Sequence, residues 1–128
     1  MIEKMIVVSQ RYLPLTIKEV NWDGTLIQLN GPAWAFTSLS AWRISSADRV
    51  IFGCWDDRSY EQIGAYTNLE IIQIACQSDS LKIDPVFTFS NGHKIEIFST
   101  DTFEPWTFGL DGEGVFIPTP SDPELFME

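Results

Sequence analysis

The apolar residues of this chain recur twice in the same order, and that recurrence narrows the possible architectures more than any other feature. When the chain from Leu15 is laid on the chain from Leu69, Leu15, Ile17 and Val20 meet Leu69, Ile71 and Ile74 at an offset of 54. At the same offset Ile27 and Leu29 meet Leu81 and Ile83. Dropping one residue brings Pro32, Trp34, Phe36, Trp42 and Ile44 onto Pro85, Phe87, Phe89, Ile95 and Ile97. A three-residue insertion then aligns Val50, Phe52 and Gly53 with Trp106, Phe108 and Gly109. Each unit reads as four short stretches in which apolar and polar residues alternate, the period of half-buried strands. The expected fold is therefore mainly β. Two sequence-related four-stranded units, 15–53 and 69–109, form one sandwich- or barrel-like antiparallel domain spanning residues 1–128. A connector, 54–68, joins the units, and an acidic C-terminal segment, 110–128, follows them.

Composition supports this reading. A chain of 128 residues with 45% hydrophobic and 20% charged content can bury a core without disulfide or metal staples. Nine Phe, five Trp and three Tyr, with many β-branched residues, suit pleated surfaces better than helices.

Local patterns refine the expectation. Phe87 and Phe89 alternate with Thr88, the chain turns at Ser90-Asn91-Gly92, and Ile95 and Ile97 alternate with Lys94 and Glu96. A two-residue Asn-Gly turn would set Phe89 opposite Lys94 and mix apolar with charged side chains on one face. A three-residue loop with Gly92 left-handed sets Phe87 opposite Ile95 and keeps one face apolar, so that register is expected. In the connector, Asp57 or Ser59 caps a short helix from Tyr60 to about Tyr66, and Asn68 ends it. Residues 5–8 read as an additional N-terminal strand. The tail from Pro118, with prolines at 118, 120 and 123, reads as irregular or mobile.

Charge is the unusual bulk property, with 18 acidic against 8 basic residues and a net charge of −10. No Lys or Arg follows Lys94, whereas Glu96, Asp101, Glu104, Asp111, Glu113, Asp122, Glu124 and Glu128 do. Such a field repels nucleic acid and anionic membranes and speeds encounter with a basic partner. Solubility alone is the plainer reading of it. No apolar run reaches the roughly 18 residues of a membrane span. The opening apolar residues meet Ser9-Gln10-Arg11 too soon for a secretory leader. A cytoplasmic protein with Cys54 and Cys76 reduced is expected, and a single disulfide in an exported protein is the alternative.

Conventional catalytic equipment is missing from the sequence. The one histidine, His93, excludes HExxH and other His clusters, and there is no Walker loop, GxGxxG or GxSxG. Asp111-Gly-Glu-Gly114 is too short and too poor in ligands for an EF-hand and reads as a turn. His93, beside a turn and opposite Phe89, reads as a packed ring rather than a general base. Asp56 and Asp57 are adjacent and would point to opposite faces of a strand, which does not suit a glycosidase pair. Cys54 has no base partner in view. No catalytic residue, metal ligand or cofactor is assigned.

Trp34, Trp42 and Trp106 fall on positions matched by Phe, Ile and Val in the repeat and read as core. Trp22 and Trp55 are unmatched and lie in or beside turns. With Tyr60 and Tyr66 they form either an exposed aromatic patch that anchors a partner or a cover over the end of the core.

The runs LSAWRISSADRVIFGCWDD and LKIDPVFTFSNGHKIEIFSTDTFEPWTF resemble a group of small bacterial proteins of uncharacterised function. Phe89, Asn91, Gly92, Ile95, Ile97 and Trp106 carry the resemblance. Some proteins of this kind look like immunity proteins, which neutralise a toxin made by the same cell or its kin. The resemblance supplies no catalytic residues. Together these features lead to a non-enzymatic protein-binding module, an immunity-type inhibitor of a basic bacterial toxin. Its expected surface is acidic, with Asp101, Glu104, Asp111 and Glu113, beside the aromatics Trp22, Trp55, Tyr60 and Tyr66. The alternative is a small-ligand or regulatory domain with an aromatic pocket between the repeats. A third is an enzyme of unfamiliar type that brings Cys54, His93 or a carboxylate pair together.

Overall fold

A computed structural model describes residues 2–126. In chain order the elements are α1 (Ile2–Ser9), β1 (Leu15–Thr16), β2 (Glu19–Trp22), β3 (Ile27–Gly31), β4 (Trp34–Ser38), β5 (Ala41–Ser46) and β6 (Arg49–Gly53). There follow α2 (Ser59–Gly64), β7 (Glu70–Cys76), β8 (Pro85–Phe89), β9 (Lys94–Phe98), β10 (Trp106–Leu110) and β11 (Gly114–Phe116). The strands form two antiparallel sheets. A six-stranded sheet has the order β1-β7-β8-β9-β5-β6, and a five-stranded sheet the order β11-β10-β4-β3-β2. Neither closes into a barrel, so the architecture is sandwich-like.

The two sheets meet through their alternating apolar residues. Phe87 of β8 lies 4.8 Å from Phe36 of β4 and 6.0 Å from Phe108 of β10, ring centroid to ring centroid. Trp42 of β5 meets Trp22 of β2 edge-on at 5.3 Å. Trp34, Trp42 and Trp106 are all buried, as their repeat positions imply.

The hairpin register follows the sequence. Phe87 stands opposite Ile95, the Phe89 N–H donates to the His93 carbonyl at 2.8 Å, and Gly92 has φ +87°. A three-residue loop results, because only that register keeps Phe87, Phe89, Ile95 and Ile97 on the buried face. The connector helix begins at Ser59 and ends at Gly64, and Asn68 adopts φ 73°. Neither Asp57 nor Ser59 caps it. Arg58 occupies the N-cap without a side-chain hydrogen bond, and the Ser59 hydroxyl donates to the Cys54 carbonyl.

Three expectations are corrected. Residues 5–8 belong to helix α1, not to a strand. Ile2, Met5 and Ser9 recur at helical spacing and are buried, α1 packs on β7, and Val7 is left exposed. The burial of one helical face outweighs the strand preference of Ile6-Val7-Val8. Leu81 and Ile83, aligned with strand β3, lie in a loop where Leu81 is exposed and Ile83 is buried. Strand pairing also differs between the units. β8 and β9 form a hairpin in one sheet, whereas their sequence counterparts β4 and β5 lie in different sheets, joined across Leu39 and Ser40. The repeat in the sequence therefore corresponds to a shared alternation of apolar residues and not to a shared strand arrangement.

The tail after β11 is irregular but attached. Phe126 packs on Trp106 and Phe116, and the Glu104 N–H donates to the Pro118 carbonyl. The last two residues of the acidic segment, 127 and 128, lie outside the described residues.

Candidate functional site

Three connections converge at one end of the sandwich, and each is fixed by its own residues. The first is the β2–β3 turn, where Asp23 Oδ1 accepts from the N–H groups of Thr25 and Leu26 at 2.8 and 2.7 Å. Those bonds, Leu26 first and then Thr25, hold the Asp23 carboxyl below the usual carboxylate range and keep it ionised. Gly24 has φ +93°, and a Cβ there would come within 2.6 Å of the Tyr60 hydroxyl oxygen, so the turn admits no larger residue without displacement. The second is the β4–β5 link, where the Leu39 N–H donates to the Pro105 carbonyl at 3.0 Å. The third is the turn from β6 into α2, where Asp56 Oδ2 accepts from the Gly53 N–H at 2.9 Å.

Ser59 ties these parts together. Its hydroxyl donates to the Cys54 carbonyl and accepts from the Trp22 indole N–H at 3.1 Å. Trp22 is thereby held between Trp42 and Tyr60, whose ring lies 6.3 Å away. Trp22, Gly24, Thr25, Leu39, Ala41 and Trp55 border a cleft of about 200 Å³. Trp55 is 84% exposed and Leu39 57% exposed, and Phe103 on the β9–β10 connection is exposed as well. A large exposed indole beside a preformed cleft matches the kind of residue that anchors protein interfaces.

The expected site residues divide between the two ends of the fold. Trp22, Trp55 and Tyr60 belong to the end just described. Asp101 and Glu104, both exposed, belong to the connection that leads into β10 next to Leu39. Asp111 and Glu113 lie past the opposite end of β10, where Leu110 pairs with Trp34 while Trp106 pairs with Ser38. The four intervening steps of strand separate the two pairs by roughly 13 Å or more. The four carboxylates therefore do not form one surface. Glu113 accepts from Arg11 and Tyr12, each at 3.0 Å, and that hydrogen bond, with burial, raises the Tyr12 phenol above its ordinary range. Residues 111–114 make the β10–β11 turn.

Tyr66 is corrected outright. It is buried against Phe89 and hydrogen-bonded to His93 Nδ1 at 2.7 Å, and burial raises its phenol pKa. It is core, and His93 serves it as a packed partner. Sequence reasoning missed Leu39 as a neighbour of Trp55 in the cleft, and Asp23 and Asp56 as the residues that fix two of its connections. An apolar residue between Ser38 and Ser40, where the chain should be polar, was the signal for Leu39.

The groups named for possible catalysis are occupied separately. The Cys54 thiol is buried and accepts from the Trp42 N–H, His93 bonds Tyr66, and Asp56 holds its own turn. Both cysteines are free thiols. Among the described residues no group of three or more His, Cys, Asp or Glu is placed to hold a metal ion, and no helix is long and apolar enough to cross a membrane. Compared with protein-family models, curated proteins and solved structures, the chain shows no match in any of the three.

Proposed function

We propose that the protein is a non-enzymatic protein-binding module of the immunity type, which docks a basic partner on the end that carries Trp55. The observation that carries this reading is an indole 84% exposed beside a cleft whose walls are fixed by Ser59, Asp23 and Asp56. Buried interface tryptophans of this kind are worth about 2 kcal/mol or more on truncation. The connections around Trp55 carry Asp23, Asp56, Asp57, Asp101 and Glu104, with Arg58 held to Glu61 at 3.1 Å. Acidic groups so placed raise the rate of encounter with a cationic surface, while the apolar centre supplies residence time.

The test uses the full chain as bait, beside Trp55→Ala and the double variant Asp101→Asn/Glu104→Gln. A basic protein retained at about 50 mM salt and thinned at about 500 mM is expected, because screening differs strongly between the two. Trp55→Ala releases it at both salts, and the double variant weakens it and flattens the salt dependence. The immunity reading adds that the retained protein arrests growth when expressed alone and not when co-expressed with this chain. Equal retention by all three baits, or retention of no basic protein, contradicts the proposal.

A further inference from the structure

The outer face of the six-stranded sheet has a second feature, opposite in charge to the Trp55 end. Outward-facing side chains of β5, β6, β7, β8 and β9 surround a concavity of about 640 Å³. That size falls within the roughly 300–1,000 Å³ typical of small-molecule sites. Short side chains, Ala75, Val86 and Thr88, face outward on β7 and β8, and Lys94 and Glu96 of β9 stand beside them, with Glu96 lying against Ser45 of β5.

The charge of this groove departs from that of the molecule. Arg43, Arg49 and Lys94, three of the eight basic residues, line it with only Asp48 and Glu96 as acids, in a chain of net charge −10. Glu96 is already committed. It accepts from Arg43 Nε and Nη2 at 3.0 and 3.1 Å and from the Ser45 hydroxyl at 2.7 Å. Arg43 is further held over the Phe98 ring, 4.7 Å from its centroid. This pair is a fixed wall. Arg49 reaches only Asp48, at 3.7 Å with both side chains largely exposed, a pairing of little energetic weight. Lys94 makes no ion pair within 4 Å among the described residues, although its charge helps to favour the ionised form of Glu96. Two cations therefore remain open to an incoming anion, Lys94 in one cross-strand row with Thr88 and Gln73, and Arg49 two strands away on β6.

A groove rich in amide and hydroxyl groups and poor in apolar surface suits a ligand that is itself rich in hydroxyls, because each buried polar group needs a partner. We propose that this groove binds a small polyhydroxylated anion, of the sugar-acid or sugar-phosphate class. Lys94, with Arg49 reaching across β5, holds the acid group, and Gln73 and Thr88, in the same cross-strand row as Lys94, hydrogen-bond the hydroxyls. The site is independent of the docking end, whose acidic groups would repel the same ligand.

The test titrates the isotope-labelled full chain at low salt with glucuronate, glucose 6-phosphate, glucose and inorganic phosphate, following backbone amide resonances. One or both charged sugars shift amides of β6, β7, β8 and β9, with a Kd about tenfold or more below those of glucose and inorganic phosphate. The preferred charged sugar shows whether the acid group is a carboxylate or a phosphate. Lys94→Gln and Arg49→Gln each weaken binding about tenfold in variants whose spectra stay folded, and Gln73→Leu narrows the advantage over inorganic phosphate. Equal binding of inorganic phosphate marks an adventitious ion only and overturns the proposal. So do equal binding of glucose, no shift with either charged sugar at millimolar concentration, or insensitivity to Lys94→Gln. Self-association of the chain through this face in place of sugar binding also overturns it.

Discussion

Trp42 and Trp55 carry the same indole, and their neighbours give it different roles. Trp42 is 2% exposed and meets Trp22 and Phe52 edge-on, so removing it opens a void between the sheets. Trp42→Ala is expected to cost about 3–5 kcal/mol of unfolding free energy. Trp55, 84% exposed, has almost no such packing to lose, and Trp55→Ala is expected to stay within about 0.5 kcal/mol of the parent. Urea unfolding of the two variants checks the pair, and similar losses in both would contradict the placement of Trp55. Glu96 gives a second residue-scale expectation. Burial disfavours its ionised form, but the bonds from Arg43 and Ser45 outweigh that, so its carboxyl titrates below the ordinary 4.5. A depressed native pKa stabilises the fold above about pH 4.5 and loses that contribution as pH falls through the native value. The stability difference between the parent and Glu96→Gln should therefore be full at neutral pH and shrink on acidification, as read from urea midpoints between pH 3 and 7. A difference independent of pH would show that the Arg43–Glu96 pair contributes nothing through ionisation.

At the scale of elements, two glycines separate conformation from packing. Gly92 turns the β8–β9 hairpin at φ +87°, and a Cβ there would meet nothing within 4 Å. Gly92→Ala is thus expected to cost about 1–2 kcal/mol through backbone strain alone. Gly64 in α2 also has open space, with a backbone conformation ordinary for a side chain, and Gly64→Ala is expected to gain about 0.4–1 kcal/mol. Thermal unfolding of the two variants should move in opposite directions, and a loss in both would contradict the helix assignment. The hairpin was legible in the sequence because its turn residues and its alternation fall within a dozen positions and agree. Helix α1 was not, because Ile6-Val7-Val8 favours a strand locally and only docking on β7 selects the helix. The loop at Leu81 was misread because period-two spacing over three residues carries too little information to separate a strand from a turn.

The whole molecule shows why the fold was easier to read than the site. Alternation along each strand identifies which face is buried, and so the sandwich with its tryptophan-rich core follows from residues close in sequence. Which sheet each strand joins depends on crossings such as the one at Leu39 and Ser40, where nothing local marks the change of sheet. The same crossings bring Trp22, Leu39 and Trp55 to one cleft from three separate stretches of the chain. They also send Asp111 and Glu113 to the far end, although the run of acids in the sequence suggested one surface. The central claim is that the partner meets the end carrying Trp55. Hydrogen–deuterium exchange of the full chain, with and without the basic protein it retains, tests this most directly. Protection confined to residues 22–26, 38–41 and 54–60 is the expected result. Protection centred on residues 111–115, or on the outer face of the six-stranded sheet with the Trp55 end unchanged, would contradict it.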